Sequence, residues 1–172
     1  MPKTDFHADL IKTTKNVLGE FLALPENPKP ERTGGYFFVL SVRPIKKPIL
    51  LTEIGECPRH MLGTFDICQE KAWRLAENLS QGHTTSWLSR DLEKRKYGGA
   101  IISPIDSELP DYSRGKIGSF SGLVEHGDEA VVLVTWLFMG WINMTAIDEI
   151  AAISNNSLVY PLIEKCKNIK VF

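Results

Sequence analysis

Apolar side chains return at helical spacing over residues 5–24, where Phe6, Leu10, Val17, Phe21 and Leu24 share a face and Thr4 or Asp5 can cap the start. Pro25 ends that helix, and residues 25–35, with three prolines and two glycines, form a surface loop. The β-branched and aromatic runs 36–43 and 49–54 are separated by Pro44, Lys46, Lys47 and Pro48, which predicts a hairpin with a proline-braced turn. Next, Phe65, Cys68, Ala72, Leu75, Ala76 and Leu79 make a stripe at three- and four-residue intervals, with Gly82 placed to end it. The spacing predicts a helix over residues 64–79.

Residues 84–92 read as a shorter helix starting near Thr85 or Ser86, stopped by Tyr97 and the Gly98-Gly99 pair before a strand at 100–103. A polar loop, 104–114, leads to a strand at 116–123 whose small residues Gly118, Ser119, Ser121 and Gly122 leave room for something to approach the backbone. The run 128–141 carries Val131, Val132 and Val134, which favour a strand, yet starts with Asp128-Glu129 and nears its end at Gly140. Its length predicts a buried helix. Residues 145–154 form an amphipathic helix with Ala146, Ile147, Ile150, Ala151 and Ile153 on or near the inner face and Asp148 and Glu149 outside, and 157–165 add another.

Composition narrows the class. A chain of 172 residues, 43% hydrophobic and 24% charged, is of a size and balance for one globular domain. The 20 Lys and Arg against 21 Asp and Glu leave a net charge of −1, and the densest basic run, 90–96, also contains Asp91 and Glu93. Neither nucleic acid nor an anionic membrane is an expected partner. Three cysteines, Cys57, Cys68 and Cys166, are too few for a disulfide framework, and the first residues lack the order of a signal peptide, so a reduced, cytoplasmic setting is expected. The longest apolar stretch, 130–142, falls short of the ~20 residues that span a bilayer.

Catalytic motifs are missing. Arg32-Thr33-Gly34-Gly35 lacks the lysine and hydroxyl of a phosphate loop, and Gly98-Gly99 leads into a strand. Gly118-Ser119-Phe120-Ser121-Gly122 has Phe120 where a serine-hydrolase elbow needs its nucleophile. Cys57-Pro58-Arg59-His60 has the spacing of two soft ligands without a second pair to complete a zinc site. His60 is either an exposed loop histidine or an imidazole offered to haem iron or another metal. Glu53 and Glu56 are expected to be solvated, and Cys68, on the apolar stripe, buried and inert.

The segment Ile67-Cys68-Gln69-Glu70-Lys71-Ala72-Trp73-Arg74-Leu75-Ala76 resembles the helix of the GlcG/HbpS/PduO-C-terminal, haem-binding-like family. Gly98-Gly99-Ala100-Ile101 is similar to that family's Gly-Gly strand, and Lys116-Ile117-Gly118-Ser119-Phe120-Ser121-Gly122-Leu123 to its Ile-Gly-x-x-x-x-Ser-Gly strand, ahead of an acidic helix start like Asp128-Glu129. Two features depart from the pattern. Glu53-Ile54-Gly55-Glu56 stands where the family has an Arg-Met-Asp element, and residues 144–172 extend past the family's usual end. The resemblance implies an α+β fold: a profilin-like antiparallel sheet packed by helices, here a single domain with a C-terminal helical extension over 144–172. It also implies assembly into dimers or larger rings.

The expected function is a non-catalytic small-molecule binding domain. Its pocket lies between helix 64–79 and the sheet, lined by Lys71 and approached by His60, with Lys71 and Arg74 placed to meet propionates if the ligand is haem or another tetrapyrrole. A second reading is an interaction subunit of a homo-oligomer, joined through Trp136, Phe138, Met139 and Trp141; a third is an enzyme acting on a small organic acid. An oligomer is expected on either of the first two, because a helix apolar nearly all round must be covered on every side.

Overall fold

The computed structural model describes residues 6–57, 63–104 and 114–167. Helix α1 (Phe6–Leu22) is followed by strands β1 (Gly34–Ser41) and β2 (Lys47–Gly55), helix α2 (Thr64–Asn78), and strands β3 (Ala100–Ile102) and β4 (Lys116–Ser121). Helices α3 (Glu125–Phe138), α4 (Met144–Ser154) and α5 (Val159–Cys166) complete the order. All strand pairs are antiparallel, in the order β2-β1-β4-β3, so the chain is an α+β fold with one open sheet packed by helices.

Strand alternation divides the core into two layers. Phe38, Leu40, Ala100, Ile102 and Ile117 face α2 and meet Cys68, Ala72, Leu75 and Ala76 of its stripe. The opposite face presents Phe37, Val39, Ile54, Ile101 and Phe120 to α1 and α3, with α4 and α5 extending the same cluster. β2 is an edge strand, and a register shift between Val39 and Leu40, together with Pro48, interrupts its ladder. Such features blunt an open edge.

Several sequence expectations change here. Residues 84–92 hold only one 3₁₀ turn, Ser86–Ser89, because Thr85 Oγ1 accepts the Trp87 N–H and Arg90 returns to extended backbone. α3 begins at Glu125, a turn earlier than Asp128, so Asp128 and Glu129 lie inside the helix and are buried. At Gly118 and Gly122 the space a side chain would take is filled by the protein itself. A Cβ at Gly118 would lie 2.5 Å from the Trp136 ring, and one at Gly122 would lie 2.2 Å from the Gly34 carbonyl oxygen.

The aromatic contact expected to join copies is corrected in its two tryptophans. Trp136 and Trp141 are 0% and 1% exposed, their rings 4.6 Å apart, with Phe6 stacked on Trp141 and Phe37 edge-on to Trp136. Phe138 and Met139 are half-buried and pack against the same cluster. The return is made by Gly140 in the left-handed region (φ 69°), where the Trp141 N–H reaches the Trp136 carbonyl. α3 is therefore apolar all round because its own chain covers it.

Candidate functional site

Lys71 is the side chain from which the site is built. It sits on α2, yet at 1% exposure its ammonium passes the end of the sheet to the other layer, donating to the Phe120 carbonyl (3.0 Å) and to Asp128 Oδ2 (2.7 Å). Asp128 Oδ1 accepts the Leu123 N–H at 2.9 Å and so holds the turn that leads from β4 into α3. Burial raises the Asp128 carboxyl above the ordinary range, against the pull of Lys71. Gly99, at φ 107°, crosses this pair: a Cβ there would stand 3.1 Å from the Asp128 Cβ and 3.4 Å from Lys71 Nζ.

A cleft of about 400 Å³ opens beside the pair. The amino ends of α2 and α3 both reach it, through Thr64 and Ile67 on one side and Val124 and Glu125 on the other, with Tyr97 completing the wall. Arg32 arrives from the loop after α1 and is fixed by one bond, Nη1 to the Leu123 carbonyl at 2.7 Å. It meets no carboxylate among the described residues. Ser121, 5% exposed as a residue, lines the cleft from β4.

The segment between α2 and β3 is clamped over this region. Arg74 gives its guanidinium to Glu70 and to Ser86, Ser89 and Tyr97, at 2.5 to 3.2 Å, and does not line the cleft. Arg90 forks onto Glu125 at 2.9 and 2.8 Å and lies over the Trp87 ring, which stacks on His126. Burial acts to raise the Glu125 carboxyl, but the bonds from Arg90 and the Gly98 N–H outweigh it and leave it below the usual value.

Behind α3, Glu129 is completely buried and accepts from Ser154 Oγ, from Asn156 Nδ2 at 3.0 Å and from Thr85 Oγ1 at 3.5 Å. Burial pushes its carboxyl up to about 7, opposed by these bonds. Cys68 is buried as expected, its thiol pushed up to about 12 by burial. Glu53 accepts the Cys57 N–H at 3.1 Å.

Of the three sequence-derived site residues, the structure brings Lys71 to the cleft and commits Arg74 to the protein, while His60 lies outside the described residues. The described lining carries no His, Cys or Met side chain, and Lys71 and Arg74 already hold protein partners. Among the described residues there is no group of three potential metal-binding side chains, and no helix is long and apolar enough to cross a membrane. Sequence reasoning missed Arg32, Ser121, Asp128 and Glu129. Ser121 alone had a signal, as a small residue on a strand expected to leave room beside its backbone. No family model, curated protein or solved structure matches the chain.

Proposed function

We propose that this chain is a non-catalytic small-molecule binding domain whose ligand enters the cleft between the amino ends of α2 and α3. The observation that carries the reading is the cleft's lining: the Ser121 side chain and the Arg32 guanidinium, which makes one bond to the Leu123 carbonyl and meets no carboxylate among the described residues, converge on one concave space of about 400 Å³. A concave site with a few convergent polar groups is the usual form of a ligand pocket. A nucleophilic role for Ser121 lacks a base: no histidine lines the cleft among the described residues, and the two carboxylates present are held by Lys71 and Arg90.

The test is a small-fragment set of neutral, cationic and anionic members, followed by amide chemical shifts. Saturable shifts centred on Ser121, Gly122 and Leu123 are expected for at least one fragment. Shifts centred on another face, or none at all, would remove the reading.

A further inference from the structure

We infer that the cleft selects a small organic acid carrying one carboxylate, with Arg32 and Ser121 as its recognition groups. The inference rests on the reading of the cleft as a binding site and adds the charge class.

Four ionisable side chains besides Tyr97 line the cleft: Arg32, Lys71, Glu125 and Asp128. Lys71 is matched by Asp128 at 2.7 Å, and Glu125 by Arg90 from outside the lining at 2.8 Å. Arg32 is left as one positive charge with no opposing group among the described residues. A monoanion neutralises it; a dianion such as phosphate would leave an excess negative charge beside two fixed carboxylates.

The donors agree with that sign. The first-turn N–H groups of a helix have no intrahelical partners and carry partial positive charge, and α3, of 14 residues, opens here. Its N-cap residue, Val124, makes no side-chain bond to the helix. The Ser121 hydroxyl adds a donor from the sheet. Arg32 has planar N–H groups besides the Nη1 used on Leu123, in the geometry that suits a carboxylate. Ile67 and Leu123 supply apolar wall for a short hydrocarbon body.

Butyrate, butyramide and inorganic phosphate, titrated separately into the intact protein and followed at the Ser121, Gly122 and Leu123 amides, test this without any substitution. Butyrate is expected to saturate these shifts and butyramide to bind at least about tenfold more weakly, the worth of a hydrogen bond to a charged group. Arg32→Gln and Ser121→Ala are each expected to weaken butyrate while leaving the rest of the amide spectrum in place. Equal binding of butyrate and butyramide at these amides would overturn the charge class and leave the cleft as a site. Tighter binding of phosphate would overturn the single-charge match. Absence of localised shifts with all three would overturn the inference, and the broader fragment set separately decides whether the cleft binds anything.

Discussion

A lysine and an aspartate withdrawn from water are costly by themselves, and Lys71 and Asp128 are tolerable only as a pair whose remaining bonds are met by Phe120 and Leu123. Removing one partner strands the other. Lys71→Met is expected to lower unfolding stability by about 3–5 kcal/mol. Lys71→Met with Asp128→Asn should recover most of that loss, because the introduced amide keeps an acceptor for the Leu123 N–H and no charge stays buried. Urea unfolding of the two single variants and the double variant measures the coupling. Simple addition of the two single losses would contradict the paired account. Nothing in the sequence announces the pair, since its members lie 57 positions apart on helices in different layers. Lys71 is legible as a pocket residue only through the resemblance around it, and Asp128 reads as a helix start because acids favour first turns.

Elements are more legible than their partners. The stripes of α1, α2 and α4 and the hairpin of β1 and β2 follow directly from period and turn residues, which is local information. Cover is not local. The apolar run of α3 announces burial, but whether α1, α4 and α5 or a second copy would supply it depends on long-range packing. Glu129 shows the same limit, since its ligands Thr85, Ser154 and Asn156 come from other segments and tie α3 to the turn before β3 and to the junction of α4 and α5. Its folded pKa of about 7 stands above the ordinary 4.5. The folded state thus holds the proton more tightly, and this contribution to stability is fully present below pH ~4.5 and is lost as pH rises through ~7. The difference is on the order of 3 kcal/mol. Urea midpoints between pH 5 and 8 should fall with rising pH in the native sequence and flatten in Glu129→Gln. An unchanged slope in that variant would place the titration elsewhere.

For the whole molecule, the sheet separates two helical layers, and the cleft lies where Lys71 crosses from one to the other. The oligomer expectation loses its stated ground, because the tryptophans meant to join copies are inside one chain and α3 is covered by its own neighbours. The central claim is that space beside Ser121 is kept for a ligand rather than for packing. Sites kept for ligands commonly gain stability when they are filled from within, at the expense of function. Ser121→Leu places an apolar side chain in a cleft already walled by Ile67 and Leu123. The direct measurement is thermal unfolding of the native and Ser121→Leu proteins, each with and without butyrate. The account predicts an unchanged or higher Tm for the variant without ligand, and loss of the ligand-induced rise that the native protein shows. A variant whose Tm still rises with butyrate as the native one does would contradict it.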